Sequence, residues 1–295
     1  MKSATLLSAI DGNGQRLDGG AMFGNAPQAV WRKWAPPDDF NRIRLACRGM
    51  LIEHDGKRIL CETGIGDFFE PKLAERFGVE PTDRNLILEN LAVLGLKQED
   101  IDLVILSHLH FDHAGGLMPS YSQLQAGNGG LLFPKARYLV GREAWDRAAS
   151  PHSRDRASFI PELNKRLEAS GRLTVVEGDR VPGLFDGHLG FRYSNGHTPG
   201  QMHTVFRGNG GGTVVFAGDM IPGVPWVHVP ITMGYDRFPE MLIDEKISLY
   251  AEAVPHRWWV FYTHDPETRA SRVEVDAKGA YRAVEPLTQL KRFSF

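Results

Sequence analysis

The sequence predicts a mixed α/β domain, on three observations. Residues 47–53 and 58–62 are short apolar runs on either side of His54-Asp55-Gly56, and Asp-Gly is a strong turn signal between paired strands. Further on, Ile87, Leu88, Leu91 and Leu94 recur at helical spacing between a Thr82-Asp83 cap and Gly95, and a strand follows over 102–107. Two more apolar strands, ending near Phe216 and Tyr262, meet their first charged or histidine residue only at their ends. Strand, helix, strand is the order a mixed α/β fold requires.

A chain of 295 residues, 42% hydrophobic and 24% charged, is long enough to bury a large core. With no Pro/Ser-rich linker, low-complexity tract or short repeat, residues 1–295 are expected to form one domain, residues 1–44 being an irregular segment packed on it. The net charge of −2 comes from acids and bases interleaved along the chain, which argues against a nucleic-acid surface. The two cysteines, Cys47 and Cys61, are too few for a disulfide framework or a zinc-thiolate site and read as core thiols in a reducing compartment. Neither the N-terminus nor any other run has the apolar length of a leader or a membrane span. The expectation is a soluble, cytoplasmic protein that acts on a small molecule, with no nucleic-acid or membrane partner; a homodimer is left open.

Near the N-terminus, Asp18-Gly19-Gly20-Ala21-Met22-Phe23-Gly24 leads into an irregular stretch with Trp31, Trp34 and Pro36-Pro37. Met22 and Phe23 either join the core or wall a substrate pocket. The hairpin ends in Cys61-Glu62-Thr63-Gly64-Ile65-Gly66-Asp67, whose paired glycines suit a tight loop at a strand end. A strand over 136–140 precedes helices over 142–149 and 159–169, separated by a polar breaker in which His152 reads as exposed. Trp145 and Leu163 read as packing residues.

The chemistry concentrates in Ser107-His108-Leu109-His110-Phe111-Asp112-His113, directly after the strand over 102–107. An extended chain alternates its side chains, so His108 and His110 point the same way and can share one metal ion. Asp112 and His113 begin a turn that aims a second pair of ligands beyond the first. A lone histidine at a strand end is usually a neighbour of the core, but three histidines and an aspartate within six residues are the donor set of catalytic zinc. Three later strand ends add Asn195-Gly196-His197-Thr198-Pro199-Gly200, then Ala217-Gly218-Asp219, then Thr263-His264-Asp265. The remaining histidines lack this context. His228, in the loop beyond Asp219, could reach a substrate.

These motifs, from Glu62-Thr63-Gly64 to His264, resemble those of the metallo-β-lactamase superfamily of hydrolases over roughly residues 45–270. The resemblance implies a four-layer αβ/βα sandwich, two mixed sheets flanked by helices, with a dinuclear site at one edge between the sheets. His108, His110 and His197 would hold one metal, Asp112, His113 and His264 the other, and Asp219 would bridge both. Glu62 stands where the family usually has aspartate; with Thr198 beside His197 it is expected to support the ligands from behind. Asp18 to Gly24, Gly218-Asp219-Met220-Ile221-Pro222, Met233-Gly234-Tyr235-Asp236 and Thr263-His264-Asp265-Pro266 look most like the quorum-quenching N-acyl-homoserine lactonase branch.

What the resemblance implies is two divalent ions per chain, zinc first, with manganese, iron or cobalt accepted by the same N/O donors. A shared water, acidified to hydroxide, would attack a lactone or ester carbonyl, and Asp112 would pass a proton to the leaving alkoxide. The family's substrate-binding tyrosine is replaced by Pro222, the third residue after Asp219, which makes Tyr235 the candidate donor to the carbonyl. Met22, Phe23, Trp226 and Phe238 suit an acyl tail. A phosphotriesterase, arylesterase or β-lactamase on the same site is the nearest alternative. A glutathione-thioester hydrolase is disfavoured because the sequence shows no basic site for a carboxylate, and a nuclease because the charge is balanced. A redox di-iron module or an inactive metal-binding relative belongs to a different class.

Overall fold

The computed structural model describes residues 4–295. Residues 1–3, the start of the stretch read above for a leader, lie outside the described residues. Up to residue 176 the strands are β1 (Leu6–Asp11), β2 (Gln15–Asp18), β3 (Arg42–Leu45), β4 (Arg48–His54), β5 (Lys57–Cys61), β6 (Leu103–Leu106), β7 (Arg137–Gly141) and β8 (Leu173–Val176). After it come β9 (Leu189–Ser194), β10 (Gln201–Arg207), β11 (Thr213–Phe216), β12 (Trp259–Phe261), β13 (Ala270–Val275), β14 (Tyr281–Leu287) and β15 (Phe293–Ser294). One sheet has the order β15-β1-β4-β5-β6-β7-β8, the other β14-β13-β12-β11-β10-β9, and β2 pairs with β3 as a separate ribbon. Both large sheets are mixed: β5 to β8 run parallel and so do β11 and β12, while the other pairs are antiparallel.

The central strands are apolar on both faces, and the period of two divides them between separate cores. Ile59, Cys61, Leu103, Ile105 and Leu139 of the first sheet meet Val214, Phe216, Trp259 and Phe261 of the second in a core between the sheets. The alternate residues Leu60, Val104, Leu106, Tyr138 and Val140 turn outward onto helices that supply Ala74, Leu91, Trp145 and Leu163. On the far side, Val215, Val260 and Tyr262 pack under Leu242, Leu249 and Tyr250 of helix Pro239–Ala253. Helix, sheet, sheet, helix is the resulting four-layer order. Each fully buried aliphatic or aromatic side chain in it stabilises the fold by about 1.5–3 kcal/mol before entropy.

Three elements depart from expectation. The segment expected to be irregular contains β1, which lies inside the first sheet between β4 and β15, and also contributes β2 and β3. Both partners of β1 are distant in sequence, so no local signal marks it. The helix over Leu86–Val93 is capped by Asn85, whose side-chain oxygen accepts from Ile87 N at 3.0 Å, and not by Thr82-Asp83. The last helix of the first half begins at Leu163 rather than 159, because Ile160 precedes Pro161 and is kept out of the helical region while Phe159 bridges His110. No helix among the described residues is long and apolar enough to cross a membrane.

Arg48 is one of several side chains that tie the two sheets together near the site. Arg48 of β4 is buried, and its guanidinium donates to Tyr262 O and Asp265 O, each at 3.0 Å, and to the Asp11 carboxylate. A charge-assisted fork of this kind fixes orientation as well as distance. It holds the turn that carries His264 against the first sheet.

Candidate metal centre

Each candidate ligand follows the C-terminal end of a strand. His108 and His110 come after β6, His197 after β9, Asp219 after β11 and His264 after β12, while the short helix Phe111–Ala114 turns Asp112 and His113 to the other side. Side chains from these ends converge because the two parallel pairs point the same way across the sandwich. The loop carrying them is pressed against the hairpin end: a Cβ on Gly116 would lie 1.9 Å from Thr63 O, so only glycine fits.

The seven side chains form two groups: His108, His110, His197 and Asp219 in one, Asp112, His113 and His264 in the other. In the first, His110 Nδ1 lies 3.0 Å from His108 Nε2 and 3.3 Å from His197 Nε2. Asp219 faces both groups. Its Oδ2 is 3.2 Å from His197 Nε2, and its Oδ1 is 3.2 Å from His113 Nε2 and 3.1 Å from His264 Nε2. Asp112 completes the second group, 3.5 Å from His264 Nε2 and 3.7 Å from His113 Nε2.

Groups behind the ligands fix their orientation. His108 Nδ1 meets Ser107 Oγ at 2.9 Å, His197 Nδ1 meets Asp236 Oδ1 at 2.9 Å, and His264 Nδ1 donates to Ala46 O at 2.6 Å. Glu62 accepts from Ser107 N through Oε1 and places Oε2 2.9 Å from His113 Nδ1, although off the line of that N–H. Its backbone is held at φ +66°, a left-handed conformation that a glutamate tolerates only where its surroundings impose it. The Thr198 hydroxyl, by contrast, is buried without a hydrogen-bond partner and supports no ligand.

Burial disfavours charge on every imidazole in the centre, and the carboxylates decide where it persists. Burial, reinforced by the neighbouring imidazoles, drives His108 and His110 far below the usual histidine range. Burial is outweighed at His113 and His264, where Asp219 and Asp112 hold the proton well above that range, and at His197, where Asp219 and Asp236 raise it. Asp219, though buried, is pulled well below the carboxylate range by His113, His264 and His197. The donor set fits a pair of divalent cations: imidazole lone pairs face one another at hydrogen-bond distance, and Asp219 Oδ1 and His110 Nε2 are buried without a hydrogen-bond partner.

The centre floors a cavity of about 540 Å³. Its apolar wall is Leu17, Met22, Leu45, Phe77, Phe111 and Met233, and Tyr235 faces it with 43% of its surface exposed. Burial, with Asp18 and Asp112 nearby, raises the Tyr235 phenol above its ordinary range, so it stays a donor. Of the expected pocket residues Met22 alone lines this space, beside the candidate donor Tyr235. Phe23 is fully buried, stacked between Trp31 and Trp226 with centroids at 5.4 and 4.6 Å, and Trp226 donates its indole N–H to Met22 O. These two rings form a core stack, not a wall. His228 and Phe238 are exposed and do not border the cavity.

Sequence reasoning missed three features. Gln15 of β2 donates to Asp112 Oδ2 at 2.6 Å, and no local pattern marks it. Asp236 lies in Met233-Gly234-Tyr235-Asp236, but an aspartate there has no spacing signal that ties it to His197. Arginines 16, 42, 76, 154 and 237 border the cavity, a basic site invisible along the chain.

The model of the metallo-β-lactamase superfamily matches residues 43–264. An N-acyl homoserine lactonase of Bacillus cereus is 28% identical over 189 residues, which are 61% of this chain and 65% of that one. One from Bacillus thuringiensis is 26% identical over 237 residues, 75% of this chain and 82% of the relative. Among solved structures, a probable metal-dependent hydrolase from Staphylococcus aureus superposes with a TM-score of 0.83 at 26% identity, covering 97% of this chain and 99% of that one. The fold is also shared with AidC, a dizinc quorum-quenching lactonase in complex with a product, at a TM-score of 0.72 and 20% identity over 99% and 97% of the two chains. The chain therefore belongs to the metallo-β-lactamase superfamily of metal-dependent hydrolases, and its relatives lie on the lactonase branch.

Proposed function

We propose that this protein hydrolyses a lactone or carboxylic ester, in the manner of its N-acyl homoserine lactonase relatives, with two divalent ions, zinc first. The observation that carries the reading is Asp219 turning one oxygen to each ligand group at the floor of an apolar-walled cavity. Bound there, such ions supply an acidified water and an electrophile for the carbonyl oxygen. Asp112, kept in place by Gln15, is positioned to hold the proton released by that water and return it to the leaving alkoxide. Tyr235 donates its phenolic hydrogen to the carbonyl as charge builds there. Leu17, Leu45 and Phe77 exclude water around the acyl chain. No serine or cysteine nucleophile is used, so no acyl-enzyme accumulates. Buried, unpaired Cys47 and Cys61 fit a reducing cytoplasmic setting.

The test is a panel of acyl-homoserine lactones, aryl esters, phosphotriesters and β-lactams on the metal-reconstituted protein. A lactone or carboxylic ester should lead in kcat/KM. A phosphotriester leading by about tenfold, about 1.4 kcal/mol of transition-state preference, would overturn the assignment.

A further inference from the structure

We infer that the substrate carries a carboxylate at the end of its acyl chain, bound by arginines in the cavity wall. The inference rests on the hydrolase reading above and narrows its substrate class. Arg16, Arg42, Arg76, Arg154 and Arg237 all border the cavity, against Asp18, Asp112, Asp155 and Asp219. Asp112 and Asp219 belong to the metal centre. Asp155 gives Oδ2 to Arg147 at 2.6 Å and keeps Oδ1 buried, out of ion-pair reach of the cavity arginines, and Asp18 accepts from Ala21 N and Asn41 Nδ2, each at 2.8 Å. On the basic side Arg42 is paired with Asp38 at 3.0 Å, and Arg16 lies a loose 3.6 Å from exposed Glu80. Arg76, Arg154 and Arg237 have no carboxylate within ion-pair distance among the described residues.

Arg237 shows the mismatch most clearly. Its Nε and Nη1 are closed off from solvent and have no acceptor, while Nη2 reaches only His152 Nδ1 at 3.4 Å. That nitrogen has one lone pair, already taken by Arg154 N at 3.1 Å. The neighbouring Asp236 carboxylate turns away from it, with one oxygen on His197 and the other on Met233 N at 2.6 Å, and forms no ion pair with Arg237. A guanidinium without acceptors is costly, and turning it into the cavity toward a carboxylate supplies them. Arg154, tied by Nη2 to Gly234 O at 2.8 Å, holds a second fork beside it. A neutral acyl chain would leave this positive field unmatched, whereas an anion is drawn in by it and fixed with its carbonyl over the centre. The apolar wall takes the methylenes between the two ends of the substrate.

The test compares mono-para-nitrophenyl adipate with para-nitrophenyl hexanoate on the zinc-loaded protein, a pair equal in length and leaving group. The anionic ester should lead in kcat/KM by at least tenfold. Arg237→Gln should collapse that ratio toward one, and Arg237→Lys should restore part of it. A wild-type ratio at or below one, or a ratio unchanged in Arg237→Gln, overturns the inference while leaving the hydrolase reading intact. Hydrolysis of neither ester leaves the hydrolase reading to the lactones of the panel above. Calorimetric titration of adipate against hexanoate then decides the inference without turnover: tighter adipate binding lost in Arg237→Gln upholds it, and equal affinities sink it.

Discussion

His203 and His264 are both 1% exposed, yet the protein treats them in opposite ways. His203 lies within β10 and bonds the Ser194 hydroxyl at 2.8 Å; burial pushes it down to about 4. His264 follows the end of β12, where burial is outweighed by Asp219 and Asp112 and the proton is held well above the usual range. Depth is therefore not what sets charge in this molecule; carboxylates gathered at the strand ends do. A region that concentrates acceptors where burial would forbid charge is built to hold cations.

The largest break of this contrast is Asp219→Ala. Removing the carboxylate shared by both groups should cost about 10³-fold or more in kcat/KM and strip most bound metal, read by elemental analysis beside steady-state rates. His203→Gln should leave metal content unchanged; loss of metal there would erase the distinction between the two regions. Tyr235→Phe comes next, with full metal content and kcat lower by about 10²-fold, as expected for one lost donor to a developing oxyanion. Asp236→Asn should weaken metal binding by about 10–100-fold through His197 orientation, measured by competition with a chelator.

The smallest effect belongs to His203 itself and reads in acid. Its folded value of about 4 lies below the unfolded 6.5, so the unfolded chain binds more protons between those limits. Stability from this position is intact above pH 6.5 and falls as the pH drops toward 4. Urea unfolding at pH 7 and pH 5 should show a shallower loss in His203→Gln, by on the order of 1–2 kcal/mol. An identical loss in both proteins would mean that His203 is not the buried neutral group described here.

The same contrast explains what could be read from sequence. Histidine and aspartate at strand ends stand out because each follows an apolar run and breaks its pattern. His203 shows no such break, and nothing in the sequence marks it as a ligand. Periodicity also located β4 to β7 and helix Arg142–Ala149, where apolar spacing and turn residues agree. It failed for β1, whose pairing partners are at 48–53 and 293–294, and for Phe23, whose aromatic character fits a pocket and a core stack equally well. Gln15 and the cavity arginines were beyond reach for another reason. They meet only after β2 and β3 fold over the centre, and nothing within a few residues of any of them records that meeting.

Arg48 changes the order of events. Its fork to Tyr262 O and Asp265 O ties the His264 turn to β4 with bonds internal to the chain, so the position of this candidate ligand does not depend on a bound ion. The expected order is then folding first and loading second, with ion entry a local step. Withdrawal with a chelator is then expected to change occupancy without unfolding the chain, which circular dichroism before and after chelation checks. One folded chain is then expected to accept manganese, iron, cobalt or zinc on the same N/O donors, whichever its surroundings supply.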